Sequence, residues 1–248
     1  MLSWARVRRA LQRLRGSTRP REVEPAAGYD LWAATYDDQP SNLMLRLDEK
    51  VFTHLLPQVD LQNKIAVDIG CGTGRHWDQI LRHKPAALSG YDVSEEMLKR
   101  LRQKYPEART WLLRGNTLHE TADASTDAII STLALAHIAD LAAAFAEWNR
   151  VLRSRGEVIM TDYHAAAFEK GGDRTFRHDR QLISIRNHIH SIKEIKRLTV
   201  ELNWQEVEFM ELKIDETLEH YYAEQNALHI YERFRNTPII YGWRLKKA

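Results

Sequence analysis

Three glycines and a carboxylate that follows them are the residues of this sequence with the clearest chemical role. The glycines, Gly70, Gly72 and Gly74, fall in the run Val-Asp-Ile-Gly-Cys-Gly-Thr-Gly-Arg over 67–75, directly after a short apolar stretch. Glycines at this spacing let a backbone turn tightly after a strand and approach a ligand before a helix begins. Asp92 ends the next apolar stretch, about 20 residues further on, where a carboxylate can accept both hydroxyls of a ribose. The pattern predicts a pocket shaped for a nucleoside.

The spacing of the glycines distinguishes this turn from other nucleotide-binding turns. The dinucleotide fingerprint G-x-G-x-x-G has a third glycine where this chain has Arg75, and no Gly-Lys-Ser/Thr phosphate loop occurs. The order G-x-G-x-G, preceded by an aspartate, resembles motif I of the class I S-adenosylmethionine-dependent methyltransferases. A binder of another nucleotide, or a relic of such a site, is the alternative interpretation. The resemblance implies S-adenosylmethionine as the cofactor and places these residues around it: Asp68, Gly70, Cys71, Gly72 and Gly74.

The resemblance extends from about Tyr29 to the C-terminus and points to the small-molecule branch of the family. The run 90–98 resembles the second strand of that family and the helix after it, which implies cofactor contacts from Asp92 and Val93. Arg-Gly-Asn at 114–116 resembles the segment that meets the adenine, with Asn where relatives often have Asp. The usual Pro-Gly-Gly turn before the fifth strand is replaced by Ser-Arg-Gly, which alters a turn and not the pocket. Further cofactor contacts are implied for Asn116, Thr117 and Leu133.

Alternating apolar runs and helical periods predict an α/β chain. Together with the resemblance, they lead us to expect a Rossmann-like, seven-stranded methyltransferase sheet. It should be mostly parallel with its last strand antiparallel, carry helices on both faces and have a β-hairpin cap. The strands are expected near residues 65–69, 87–92, 109–113, 127–132, 156–161, 206–214 and 238–245. We assign a basic leader and linker to 1–25 and the methyltransferase domain to 26–248, with the cap insertion at about 163–191.

Composition bounds the class of protein. A chain of 248 residues with 44% hydrophobic content can bury the core of one elaborated domain. The net charge of +2, from 36 basic and 34 acidic side chains, gives no global field of the kind that marks nucleic-acid binders. The single cysteine excludes an intramolecular disulfide and a cysteine-rich zinc site. No apolar run approaches the roughly 18 residues that span a bilayer, so we expect a cytoplasmic protein. We also expect that the protein has no metal site.

The segment before the first core strand is one of three that could contact the methyl acceptor. It reads Gly-Tyr-Asp-Leu-Trp-Ala-Ala-Thr-Tyr-Asp over 28–37 and resembles a segment that folds over the cofactor in many small-molecule methyltransferases. Tyr29, Trp32 and Tyr36 fall at helical spacing, so they could equally form an apolar stripe packed on the core. In the functional interpretation, Tyr29 or Tyr36 closes over the methionine end and reaches the acceptor.

The exit of the fourth strand and the cap are the other two segments. Histidine exchanges protons near neutral pH, so His137, His164 and His190 are the candidate bases, and the two in the cap rank first. A base is needed only if the acceptor is a hydroxyl or a carbon acid. Arginines outnumber acids in the cap, which could therefore bind a carboxylate or phosphate, or simply present a solvated face. The residues predicted to contact the acceptor are Tyr29, Tyr36, Tyr163, Arg177 and Arg186.

The function that these patterns favour is methyl transfer from S-adenosylmethionine to a small molecule, with the acceptor atom (O, N or C) left open. A non-catalytic S-adenosylmethionine-binding assembly factor is the alternative from another class. Residues 1–15 place apolar side chains at helical spacing between arginines, as an interfacial helix would. The leader could anchor the protein to a membrane beside a quinone-like lipid acceptor, dock in a complex, or be a frayed tail. The oligomeric state is not predicted.

Overall fold

A computed structural model describes residues 20–248, so the predicted leader helix over 1–15 lies outside the described residues. The strands are β1 (Arg21–Val23), β2 (Ile65–Ile69), β3 (Ala87–Asp92), β4 (Arg109–Leu112), β5 (Thr126–Thr132), β6 (Leu152–Tyr163), β7 (Thr175–His178), β8 (Gln181–Ile185), β9 (Trp204–Lys213) and β10 (Pro238–Lys247). The α-helices are α1 (Pro25–Trp32), α2 (Leu43–Leu55), α3 (Trp77–Arg82), α4 (Glu95–Lys104), α5 (Leu141–Val151), α6 (Ala165–Glu169), α7 (Ile192–Glu201), α8 (Glu219–Glu224) and α9 (Leu228–Phe234). Short 3₁₀ turns cover Leu56–Gln58, Leu135–His137 and Glu216–Leu218.

Seven strands form one sheet in the order β4-β3-β2-β5-β6-β10-β9. Strand β10 is antiparallel to both of its neighbours, and the pairs from β4 to β6 are all parallel. The predicted Rossmann-like methyltransferase sheet, with its last strand antiparallel, is confirmed. Because β2 and β5 are neighbours whose connections lead to opposite sides, the ends of these strands form the crevice where ligands bind in open α/β sheets.

A second, three-stranded sheet has the order β1-β8-β7 and contains the predicted hairpin cap. Strands β7 and β8 are antiparallel around Asp179 and Arg180, both with positive φ. The sequence indicated a linker up to residue 25, but Arg21–Val23 pairs in parallel with β8. Only three residues take part, and a strand this short has no periodicity that could be seen in the sequence.

Helix α2 packs directly on the sheet where β10 has a glycine. A Cβ at Gly242 would overlap Val51 on α2, and Val51 is fully buried. The helix can therefore approach the strand more closely than any larger residue would allow. This contact fixes the start of α2, which contributes Met44 and Leu45 to a cavity described below.

A buried carboxylate ties α2 to the glycine loop and to β6. Asp48 is inaccessible to solvent and accepts hydrogen bonds from Arg75, from Thr161 and from His76, whose Nε2 lies 2.8 Å away. Burial alone would raise the pKa of Asp48, but the guanidinium of Arg75 and these hydrogen bonds hold it below its usual range. A lowered pKa stabilises the fold above the ordinary pKa of aspartate, and this stabilisation is lost as the pH falls through the folded-state pKa.

Within residues 20–248, no helix is both long and apolar enough to cross a membrane.

The contact between α2 and β10 gives a first prediction. Gly242→Ala should lower the free energy of unfolding by about 1–3 kcal/mol, because the added methyl group overpacks the interface. Val51→Ala in the same chain should make room for it, so the double variant should lose less than the sum of the two single variants. Urea denaturation monitored by tryptophan fluorescence measures all three. Strictly additive losses would contradict the contact.

Candidate functional site

The glycine loop after β2 has the backbone that its sequence predicted. Gly70, Gly72 and Gly74 have φ values of 77°, 52° and 72°, in the left-handed region that favours glycine. A Cβ on Gly70 would meet Ala134, and one on Gly74 would contact Leu101, so these two glycines permit close packing of protein on protein. Gly72 has no neighbour within 4 Å of that position. It therefore presents bare backbone to open space, as a ligand-facing turn requires.

Two carboxylates lie beside this loop. Asp92 accepts hydrogen bonds from the backbone N–H of Gly72 at 2.7 Å and of Ser94 at 2.9 Å. Burial raises its pKa to about 6. Asp68 accepts from Trp77 Nε1 at 2.8 Å through one oxygen, whereas the buried Oδ1 has no partner among the described residues. Burial raises the pKa of Asp68 to about 7. Burial deprives both carboxyls of hydrogen bonds from water, and a polar ligand could supply such bonds instead.

A cavity opens above the loop and runs along the ends of the central strands. It encloses about 640 Å³ of empty space, including its mouth. Its walls are mainly apolar, with polar groups at a few points, which is typical of a site for a small molecule or cofactor. The lining residues are Pro25, Tyr29, Tyr36, Ile69, Gly70, Gly72, Asp92, Val93, Met97, Leu113, Thr132, Leu133, Ala134, His137 and Ile138. We call it the cofactor cavity.

A second cavity adjoins the first and shares three lining residues with it: Tyr29, Tyr36 and Leu133. It encloses about 590 Å³ of empty space, mouth included, between α1, the start of α2 and the cap. The remaining lining residues are Trp32, Asn42, Met44, Leu45, Tyr163, Asp173, Arg174 and Thr175. A group bound at the shared wall would reach both spaces. We therefore call this second space the acceptor cavity.

Arg174 is the charged group at the junction of the two cavities. Its Nη1 donates to the carbonyl oxygen of Leu133 at 2.7 Å and lies 3.0 Å from the hydroxyl of Tyr29. Its Nη2 donates to Asp162 at 3.1 Å. The guanidinium thus connects helix α1, the segment that follows β5 and the end of β6. Leu133 has a φ of 54°, and such strain in a non-glycine residue is typical of functional sites.

His137 faces the same network as a neutral acceptor. Its Nδ1 lies 2.9 Å from the carbonyl oxygen of Arg186, which can only accept, so Nδ1 carries the proton. The other nitrogen, Nε2, accepts from the hydroxyl of Tyr29 at 2.9 Å and from Arg174. Burial and the positive charge of Arg174 lower the pKa of His137 well below its usual value. The imidazole therefore orients its two donors, and both of its nitrogens are occupied.

Five donors on the residues that line the acceptor cavity have no hydrogen-bond partner within residues 20–248. They are Nε of Arg174, the hydroxyls of Tyr36, Tyr163 and Thr175, and the indole N–H of Trp32. Burial raises the pKa of Tyr163 to about 12, so its hydroxyl keeps its proton at neutral pH. Asp173 also lines the cavity, but its oxygens already accept from Ser184, from Asn187 and from the N–H of Arg174. The groups left free all donate.

The structure does not bring the two cap histidines to either cavity. His164 follows β6 and caps α6, accepting from Ala166 through Nδ1 while Nε2 lies 2.9 Å from Glu211. His190 lies behind the site, with Nε2 2.8 Å from the carbonyl oxygen of Ile138. They were ranked first among the candidate bases, yet both rings are already engaged in contacts away from the acceptor cavity.

The two predicted cap arginines lie outside the acceptor cavity as well. Arg177 is exposed on the outer side of β7, and Arg186 forms ion pairs with Glu22 and Glu24. Strand alternation accounts for Arg177, because apolar Phe176 faces the core and its neighbour in β7 must point to the opposite side. Arg174 lies just before β7, and its place in the cavity depends on packing against distant segments.

The structure places five of the ten predicted cofactor residues in the lining of the cofactor cavity. They are Gly70, Gly72, Asp92, Val93 and Leu133. The other five lie outside the lining. Asp68 is in β2, Cys71 and Gly74 are in the glycine loop, and Asn116 and Thr117 lie in the loop after β4. Sequence reasoning missed seven residues of the wall: Pro25, Ile69, Met97, Leu113, Thr132, Ala134 and Ile138. Among residues 20–248 no group of three His, Cys, Asp or Glu side chains could hold a metal ion.

Several known proteins that resemble this chain are methyltransferases. Residues 67–160 match the family model described as "Methyltransferase domain". Over 137 residues the chain is 30% identical to the malonyl-[acyl-carrier protein] O-methyltransferase of Hamiltonella defensa subsp. Acyrthosiphon pisum (strain 5AT). That alignment covers 55% of this chain and 50% of the relative, so the chain spans about half the length of that protein.

Two solved structures have the same fold. One is an S-adenosylmethionine-dependent methyltransferase from Mesorhizobium loti, with a TM-score of 0.63 and 17% identity over 81% of this chain and 100% of the other. The second is the magnesium protoporphyrin IX methyltransferase from Synechocystis PCC 6803 with bound SAH, with a TM-score of 0.61 and 14% identity over 90% and 95% of the chains. Motifs, domain match and sheet order agree: the chain carries a methyltransferase domain over residues 67–160 and has the class I fold of the S-adenosylmethionine-dependent methyltransferases.

Proposed function

We propose that this protein transfers the methyl group of S-adenosylmethionine to a carboxylate oxygen of a small acceptor in the acceptor cavity. The observation that carries the proposal is the set of unpartnered donors on Arg174, Tyr36 and Tyr163, next to the wall shared with the cofactor cavity. Donors of this kind pair with an anion, and a hydrogen bond from a guanidinium N–H to a carboxylate is charge-assisted.

The cofactor cavity has the features that S-adenosylmethionine needs. The open face of Gly72 leaves room for close approach of the ligand to the backbone. Asp92 is placed to accept the ribose hydroxyls, and the unpartnered Oδ1 of Asp68 is a buried acceptor beneath the loop, on the side where the amino acid end would lie. Leu113 and Ile138 supply apolar surface for the adenine. These contacts are proposals drawn from the chemistry of the lining.

A carboxylate acceptor also fits the absence of a free imidazole base from the part of the lining that residues 20–248 supply. The bound cofactor supplies a methyl group that is already electrophilic, so the protein has to align the acceptor and exclude water. The oxygen of an ionised carboxylate attacks without losing a proton, and a methyl ester forms as the bond between carbon and sulfur breaks. His137, the titratable imidazole of the shared region, has both nitrogens engaged and a lowered pKa. It is poorly suited to remove a proton.

The relatives support the same acceptor class. Proteins 30–34% identical to parts of this chain are named malonyl-[acyl-carrier protein] O-methyltransferases. A malonyl group ends in a carboxylate, so a malonyl thioester is the first acceptor to test. Arg174 and Tyr163 would hold one carboxylate oxygen while the other faces the shared wall beside Tyr29.

The cofactor half of the proposal gives a prediction for Asp92. Asp92→Asn should weaken binding of S-adenosylhomocysteine by about 10- to 100-fold, because a charge-assisted acceptor contributes roughly 1.5–3 kcal/mol. In the unmodified protein, affinity should fall as the pH drops below about 6, where the carboxyl takes up a proton. Calorimetry between pH 5 and 8 measures both effects. The exposed Asp179→Asn is the matched control, and equal affinity of the two variants would refute the assignment.

A second prediction concerns the anion contact. Arg174→Lys keeps the charge but removes Nε and the planar fork, so KM for the acceptor should rise by about 10- to 100-fold, with cofactor affinity nearly unchanged. Tyr163→Phe should raise KM about fivefold by deleting one donor. Arg177→Lys, on the outer face of the hairpin, is the matched control and should behave like the unmodified chain.

The same assay identifies the acceptor atom when the methyl group of S-adenosylmethionine carries an isotopic label. A methyl ester releases volatile methanol in alkali, whereas N- and C-methyl products keep the label. Label that is stable in alkali would contradict carboxylate methylation. If no label is transferred although S-adenosylhomocysteine binds, the non-catalytic alternative is supported.

The role of His137 gives a third prediction. His137→Gln keeps an acceptor for Tyr29 and Arg174 but cannot remove a proton at neutral pH. If the imidazole only orients those donors, kcat should fall less than tenfold, whereas loss of a general base typically costs 10²- to 10⁴-fold. Steady-state kinetics between pH 6 and 9 distinguish these results. A loss of more than a hundredfold would point to a hydroxyl acceptor and a catalytic base.

A further inference from the structure

The segment from residue 25 to residue 39 crosses the cofactor cavity as a strap with both ends held. At its start, β1 is paired with β8, and Gly28 on α1 packs against Ile185. At its end, Asn42 caps α2 by accepting from Leu45. Between these ends, Tyr29 and Tyr36 turn toward both cavities. From 33 to 42 the chain has turns, bends and irregular backbone but no helix or strand, so side chains must hold this part in place.

Each of these two tyrosines is followed by an aspartate whose carboxylate accepts hydrogen bonds from residues beside the cofactor cavity. Asp30 accepts from the hydroxyl of Ser94 at 2.6 Å and from the N–H of Glu96 at 3.2 Å, at the start of the helix that follows Asp92. A carboxylate there also complements the positive end of the dipole of α4.

Asp37 attaches the strap to the glycine loop. It accepts from the hydroxyl of Thr73, inside the glycine loop, at 2.6 Å, and it forms an ion pair with Lys104 at 3.0 Å. The hydroxyl of Thr73 is fully buried with its residue, so it depends on this acceptor. The strap is thus fixed once to the ribose side and once to the loop side of the cofactor cavity.

We propose that Asp30 and Asp37 are positioning residues that hold the strap closed over the cofactor cavity, and that their hydrogen bonds set the rate at which cofactor and demethylated product exchange. The inference rests on the proposed function. Neither carboxylate lines a cavity, so each acts through the tyrosine beside it. Both aspartates are solvent-exposed. Losing one anchor leaves the hydroxyl of Thr73 or Ser94 without its acceptor, and opening of the strap lets water reach that hydroxyl while the apolar core is kept.

Release of bound S-adenosylhomocysteine tests the proposal. Stopped-flow tryptophan fluorescence, after mixing the complex with excess S-adenosylmethionine, gives the dissociation rate for the full chain. Asp30→Ala and Asp37→Ala should each raise this rate about fivefold, the factor expected for about 1 kcal/mol from one hydrogen bond, and the double variant about 25-fold. Asp30→Asn and Asp37→Asn keep an acceptor oxygen and should recover part of the effect.

The neighbouring Asp38 provides the matched control. It is exposed, carries the same charge, and makes no side-chain hydrogen bond or ion pair among residues 20–248, so Asp38→Ala should release the ligand like the unmodified chain. Thr73→Val should reproduce most of the effect of Asp37→Ala, and combining the two should add nothing to Asp37→Ala, because Asp37→Ala already removes the contact with Thr73 together with the ion pair to Lys104. Hydrogen exchange should increase in 25–39, with the melting temperature nearly unchanged.

Two results would overturn the proposal. One is a dissociation rate of the double alanine variant equal to that of Asp38→Ala. The other is faster release accompanied by a large drop in melting temperature and increased exchange throughout the sheet, which would indicate a general structural role. Binding and methyl transfer by the unmodified chain test the proposed function separately, and hydrogen exchange of the strap in the ligand-free variants tests the anchors even if no transfer occurs.

Discussion

The arrangement of the site depends on a carboxylate that has no access to water. Asp48 can remain ionised in the interior because Arg75, His76 and Thr161 surround it with donors. These partners come from the end of the glycine loop and from β6, whereas Asp48 belongs to α2. Removing one member of such a buried group typically costs about 3–5 kcal/mol, since the remaining charge is left unpaired. The helix that lines the acceptor cavity is therefore held in register with the loop that lines the cofactor cavity.

A shared wall makes the two cavities one site. Tyr29, Tyr36 and Leu133 face both spaces, and Arg174 joins them by binding the carbonyl oxygen of Leu133. The acceptor side offers donors without partners, and the one imidazole nearby is saturated with hydrogen bonds. An acceptor that arrives as an anion needs this combination, because it brings its own nucleophilic lone pair. An acceptor that arrives protonated would need a base that this lining does not provide among the described residues.

Closure of the site depends on elements that lie far apart in the chain. The cap hairpin supplies Arg174 and also Phe176, whose ring stacks on Trp32 of α1 with centroids 4.6 Å apart. Strand β1 extends the same small sheet and carries the chain into the strap. A cap and a strap that pack on each other can form a complete acceptor cavity only when both are in place.

The sequence alone determined the parts of this protein whose physics is local. A glycine loop needs residues that tolerate positive φ, and Gly70, Gly72 and Gly74 supply them within five positions. Alternating apolar runs predicted the α/β class and the hairpin, whereas the seven-stranded sheet was expected from the family resemblance; the position of Asp92 followed from the length of one β-α-β unit. Tertiary structure decided the rest. Arg174 and His137 are 37 residues apart and meet because β5 and β6 end side by side, whereas His164 and His190 lie near them in sequence but face elsewhere. Which polar side chain enters a cavity depends on packing between distant segments, and no local pattern records that packing.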